Sequence, residues 1–199
     1  FEGLGGWAWR NYVDDPATLP SGYPDNYFWD SSIGDINITK YMQTYASGDN
    51  LDYIVCELGM NHLVNSTNQG SDLTVVSTKV KHFIDRVHED YPNAKVLLVG
   101  VHRFSDMYKY NQKKNRDFPF DLNNTYEAIA TDSKYSSFVK FANVSSMFDS
   151  KYGSNFFTQS AGLFAGDETE EYLIDYVHPN DNGYQMYADC ISRKFITMI

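Results

Sequence analysis

An acid and a base stand three residues apart in "DYVHPN", Asp175 to Asn180, and the base, His178, is held against Pro179. A residue before proline is steered away from the helical region, so His178 is expected to stay extended ahead of whatever follows. Asp175 could then fold back and accept a hydrogen bond from the imidazole, fixing its tautomer and stabilising its charged form. The same residues also read as a satisfied loop pair beside the acidic, solvated run "GDETEE". A second polar group lies in "GMNH", Gly59 to His62. The glycine permits a sharp turn, and Asn61 could either aim its amide at a developing oxyanion or cap the turn through its own backbone.

Such groups need a scaffold to meet. "LDYIVCELG", from Leu51, is a short apolar run ending on Gly59, the pattern of a strand buried on both faces. From near Ser71 to Asp90 the apolar residues Val76, Val80, Phe83, Ile84 and Val87 recur at helical spacing, and "KVLLVGV", Lys95 to Val101, is a second buried strand. Strand, helix, strand implies a crossover between parallel neighbours. The polar, aromatic stretch Arg103 to Phe120 is expected to run over the surface, followed by a helix around Leu122 to Ala130 and a third strand near Phe138 to Val144. Gly, Ser, Asn and Asp predict a long loop from Phe148 to Thr169. A final helix opens near Asp181, capped by Asn180 or Asp181, with Tyr184, Tyr187, Ala188, Ile191 and Phe195 facing inward. The fold class is therefore α/β with at least three parallel strands, and the 199 residues suffice for one domain spanning 1–199. Ligands of such sheets sit beyond the carboxyl ends of the strands, where "GMNH" falls.

Composition narrows the partners. A net charge of -10 offers no basic footprint for nucleic acid, and no apolar run approaches the roughly 20 residues of a membrane span. Cys56 and Cys190 lack metal-ligand spacing and read as buried thiols, able to pair only if the fold brings them within disulfide reach. Asn-x-Ser/Thr triplets start at Asn37, Asn65, Asn123 and Asn143, but an Asn-rich chain produces these by chance and they fix no compartment. The acidic, Tyr- and Asn-rich character leans toward an extracellular or periplasmic setting. Trp7, Trp9, Tyr27, Phe28 and Trp29 could line a carbohydrate or acyl pocket or pack beneath loops. His82 and His88 belong to the long helix, and His102, at the carboxyl end of the second strand, could reach the cleft rim but reads better as a loop histidine with no catalytic part.

Taken in order, "EGLGGWAW" (Glu2 to Trp9), "GMNH" and "DYVHPNDNGY" resemble the second, third and fifth blocks of the SGNH/GDSL hydrolase family. The resemblance covers essentially the whole chain, including "YFWDSSIGDINITKYM" before the first strand. It implies a three-layer, flavodoxin-like α/β/α sandwich around a parallel sheet and a serine esterase working without metal or cofactor. By the same resemblance His178 is the general base and Asp175 its orienting acid. Asn61 and the backbone N–H of Gly3 are the oxyanion donors, with Gly5 and Gly6 close by. Trp7 and Met60 would meet the substrate, a small acyl ester or acylated carbohydrate. His62 stands where the family pattern usually has aspartate, which alters the local turn rather than the donor.

The family draws its nucleophile from a Gly-Asp-Ser block that this sequence lacks. "GSDL", Gly70 to Leu73, follows Asn61 instead of preceding Gly3, and Ser71 reads as a helix cap; "DSS", Asp30 to Ser32, has no strand before it. The elbow Gly-x-Ser-x-Gly is also absent. The expectation is that the first two strands and the serine lie before Phe1, on an upstream segment or a second chain. The alternative is a carbohydrate-binding or interaction module that has lost its nucleophile.

Overall fold

The computed structural model describes residues 8–19, 26–46, 50–59, 61, 69–102, 112–149, 154–160 and 169–199. In chain order these form α1 (Trp9–Val13), β1 (Trp29–Asp30), β2 (Asp35–Ile36), α2 (Ile38–Tyr45), β3 (Tyr53–Cys56) and α3 (Gln69–Asp90). β4 (Lys95–Val99), α4 (Gln112–Thr131), β5 (Val139–Ala142), β6 (Ser154–Ser160), β7 (Thr169–Pro179) and α5 (Asp181–Ile196) complete the chain.

A parallel sheet of order β3-β4-β5 sits at the centre, with Ile54 opposite Val96 and Leu98 opposite Phe141. Alternation along β4 splits the core into two layers. Val96 and Leu98 pack with Val76, Val80, Ile84 and Val87 of α3 and with Leu122, Tyr126 and Ile129 of α4. Leu97 and Val99 face the opposite way, onto Tyr187, Cys190 and Met198 at α5. The molecule is thus a helix–sheet–helix sandwich, the α/β class expected.

The α3 stripe is buried as its spacing predicts. Four expectations differ from the structure. First, β3 is not buried on both faces: as an edge strand it leaves Val55 46% exposed while Cys56 points into the core. Second, helix occupies Gln112 to Phe120, the part of the expected surface excursion that lies within the described residues. Pro119 signals a helix break, because it lacks an N–H and clashes with the preceding turn, but buried Phe118 and Leu122 anchor the helix across it. Third, Tyr184 and Ala188 are exposed; the inward face of α5 runs through Gly183, Tyr187 and Cys190. α3 also begins at Gln69, so Ser71 is not its cap.

Around this core, polar side chains fix the amino-terminal elements. Asn37 caps α2 by accepting from the Lys40 N–H at 2.8 Å, and Asp90 at the end of α3 accepts from the N–H groups of Ile38 and Thr39 at 2.9 and 3.1 Å. Asp30 accepts from Ser32 Oγ at 2.7 Å and from Lys40 Nζ at 2.9 Å. The Lys40 ammonium, then the Ser32 donors, hold the Asp30 carboxyl well below the usual range. Ser32 therefore closes a turn. His82 meets Asp35 at 2.7 Å, and His88 stacks on Phe138 with ring centres 4.0 Å apart. Among the described residues no helix is long and apolar enough to cross a membrane.

Cys56 and Cys190 are both free and buried, on opposite faces of the sheet. Burial pushes the Cys56 thiol up to about 12 and raises Cys190 as well. At pH 8 the folded protein is expected to react negligibly with Ellman's reagent, whereas denaturation should release both thiols. Rapid stoichiometric labelling of the folded protein would contradict this burial.

Candidate functional site

The three parallel strands have a common carboxyl end, and contacts show which segments reach it. Asn123 of α4 clamps Val101, just past β4: its Oδ1 accepts from the Val101 N–H at 2.9 Å, and its Nδ2 donates to the Val101 carbonyl at 2.9 Å. The Ser145 hydroxyl donates to the same carbonyl at 2.8 Å and accepts from Asn123 Nδ2 at 3.1 Å. α5 runs against the strands. Its Tyr187 reaches His102 beyond the carboxyl end of β4, whereas Phe195 packs on Tyr53 at the start of β3 and Met198 receives Lys95 from the start of β4. The amino terminus of α5, with Pro179 and His178 before it, therefore lies toward the carboxyl end of the sheet. Asn61 is there too, two residues beyond Gly59.

Gly59 aims the chain at that point. Its φ is 125°, and a Cβ there would stand 2.6 Å from Leu122 Cδ2 and 2.8 Å from the Tyr126 hydroxyl. Beside it, the Tyr126 hydroxyl donates to the Leu58 carbonyl at 2.6 Å and accepts from the Trp9 indole N–H at 2.7 Å. Burial pushes the Tyr126 phenol up, so it keeps the proton that this bond needs. Three elements, α1, α4 and the end of β3, are thereby tied at the root of the Asn61 turn. Asn61 itself is half-buried.

The long loop expected from Phe148 to Thr169 contains strand β6, and Asp175 and His178 lie in β7, antiparallel to it, so His178 is extended as a residue before proline should be. The correction has a plain cause. Tyr172, Leu173, Ile174, Tyr176 and Val177 make a β-prone run, which outweighs the loop-like composition upstream. The ladder is irregular just at the pair: Asn155 opposes Asp175 while Ser154 opposes Pro179, one step on β6 against four on β7. Tyr176, Val177 and His178 thus sit in a bulge, a device that re-aims side chains at sites. His178 is exposed, and after Pro179 the Asn180 side chain caps α5 by accepting from the Gly183 N–H at 2.9 Å.

Gly3, Trp7 and Met60 lie outside the described residues, as does His62. Trp9 and Phe28 are core residues rather than pocket walls. Trp9 packs edge-on to Phe83 at 5.6 Å, and Phe28 stacks on Tyr41 at 4.1 Å. Glu57, next to Cys56, is exposed overall, but its carboxyl is shielded enough that desolvation raises it above the usual value. His102 is buried instead of lining a rim. Tyr126, Asn123 and the His102–Tyr187 pair went unread in the sequence because their partners are 22 to 117 residues away.

A family model described as GDSL-like lipase/acylhydrolase matches residues 6–191. No curated protein matches the sequence. Among solved structures, the native aryl esterase of M. smegmatis aligns with all of this chain and 77% of its own, at 16% identity and a TM-score of 0.55. A putative platelet activating factor from Streptococcus pneumonia aligns over 73% of this chain at 20% identity and a TM-score of 0.50, and the match spans only 60% of that protein. A lipolytic protein of the G-D-S-L family from Veillonella parvula aligns over 98% of this chain and 91% of its own, at 16% identity and a TM-score of 0.48. At these identities the likeness is one of fold, and the family rests on the sequence match. With that match covering nearly the whole length, and a helix–sheet–helix sandwich beneath it, the chain belongs to the GDSL-like lipase/acylhydrolase family.

Proposed function

We propose that this chain carries the acid/base and oxyanion half of a serine esterase acting on small acyl esters, acetyl groups on carbohydrate among them. The observation that carries the reading is the convergence of Asn61, beyond the Gly59 turn, and His178, ahead of α5, toward the carboxyl end of one parallel sheet. In this reading His178 takes the proton of the attacking serine, and Asp175 holds the imidazole in the tautomer that can accept it. The Asn61 amide and the Gly3 N–H stabilise the oxyanion, and Trp7 and Met60 contact the acyl ester. No Gly-Asp-Ser block occurs in these residues, so the serine is taken to come from a segment outside them.

An alkyl fluorophosphonate tests the assignment. The intact protein should acquire one covalent serine adduct, located by peptide mass spectrometry outside the 199 residues, and lose labelling with His178→Ala. An adduct on Ser32 would overturn the placement of the serine, and no adduct at all would overturn the enzyme. The second reading, a carbohydrate-binding module, is favoured by Tyr27 and Tyr45, 40% and 55% exposed with ring centres 5.3 Å apart. An unlabelled protein that retains a glycan on affinity electrophoresis would support it.

A further inference from the structure

We infer that His102 and Tyr187 form a positioning pair that sets the register of α5 on the sheet and thereby the place of His178; this rests on the esterase reading above. The Tyr187 oxygen accepts from the His102 backbone N–H at 3.0 Å and lies 2.5 Å from His102 Nδ1. In the proposed pair that hydroxyl accepts from the backbone N–H and donates its own proton to Nδ1. In this arrangement His102 is neutral, with Nδ1 as acceptor and its proton on Nε2. Tyr187 is equally constrained to stay protonated: burial disfavours the phenolate most, and the nearby Glu57 charge adds to it.

Location gives the pair its purpose. His102 follows the carboxyl end of β4, the middle strand, and is only 4% exposed; its ring packs against Phe148 with centres 4.5 Å apart. Tyr187 lies six residues into α5 from Asp181, about 9 Å along the axis. The rest of the α5 interface is mostly apolar, with Leu97, Val99, Ala142, Val144, Cys190 and Ile191 in it; the Asp149 N–H also meets Met186 Sδ at 3.4 Å, and Lys95 Nζ donates to the Met198 carbonyl beyond the far end. Apolar contact is non-directional and fixes a helix against sliding or rotation poorly. Two short contacts converging on one buried oxygen give direction in the half of the helix nearest His178. Any slip of α5 moves Asn180, Pro179 and His178 with it, and displacements of about 1 Å at reacting groups can cost about 100-fold in rate.

The test uses Tyr187→Phe, which keeps the ring and removes the proton, His102→Leu, which removes the acceptor, and His102→Asn, whose Oδ1 occupies the acceptor position. Turnover of a chromogenic acetate ester and the imidazole resonances of His178 are followed in each. Tyr187→Phe and His102→Leu are expected to lower kcat by about 10- to 100-fold with KM little changed and to shift the His178 resonances. His102→Asn should recover most of the loss, and wild-type His102 should show the Nε2-protonated tautomer. Folded Tyr187→Phe or His102→Leu protein with wild-type kcat and unshifted His178 resonances would overturn the pair's role. So would loss of kcat and KM together in His102→Asn as in the others. Should the wild type hydrolyse no ester, the esterase reading falls, and the His178 resonances alone still decide whether the pair positions that residue.

Discussion

Replacing His178 with alanine is expected to lower ester turnover by about 10⁴- to 10⁶-fold, the scale on which removal of a triad base acts. In the proposed mechanism the loss falls on kcat, because the imidazole would take the proton of the attacking hydroxyl and return it to the leaving group. Little stability should go with it. His178 is exposed and precedes α5, whose cap is the neighbouring Asn180, so the substitution removes neither core contact nor cap. A folded His178→Ala protein with at least a tenth of wild-type kcat on a chromogenic acetate would remove His178 from the mechanism.

The other large effect is expected at Gly59. Alanine there is strained twice, by a φ of 125° and by a Cβ forced within 2.6 Å of Leu122 and 2.8 Å of the Tyr126 oxygen. Backbone strain and overpacking of this kind each cost roughly 1–3 kcal/mol, so Gly59→Ala should destabilise the protein by about 2–5 kcal/mol. In a chain of this length that lowers Tm by about 5–15 °C. Relief would come by pushing Tyr126 off the Leu58 carbonyl, which loosens the turn leading to Asn61. Gly34 is the control: its φ is 66° and an added methyl would meet open space, so Gly34→Ala bears only the backbone cost. A Tm for Gly59→Ala equal to that of Gly34→Ala would show that the close approach is not rigid.

How far the sequence discloses this molecule depends on the range of the interactions involved. Val76, Val80, Phe83, Ile84 and Val87 announce α3 because a helix writes its buried face into neighbouring turns. Asn180 is legible as a cap for the same reason. The β6–β7 hairpin is not, since Asn155 is matched to Asp175 through an interrupted ladder rather than by local composition. At the candidate site, Asn61 and His178 are singled out by pattern, because turn chemistry and a following proline are local, and their roles belong to the proposal. The Trp9–Tyr126–Leu58 tie and the His102–Tyr187 pair close loops of 117, 68 and 85 residues, and no local signal marks their members.

The Asn123 clamp reaches beyond packing. Asn123, Asn124 and Thr125 spell a glycan acceptor, yet the folded protein has both faces of the Asn123 amide engaged by Val101 and Ser145 in a buried pocket. An oligosaccharide could be attached there only to a chain that has not yet folded, and once attached it would bar the carboxyl end of β4 from closing. In a secretory pathway that decorates nascent chains, folding and modification would compete for one nitrogen, and yield of active protein would record which came first.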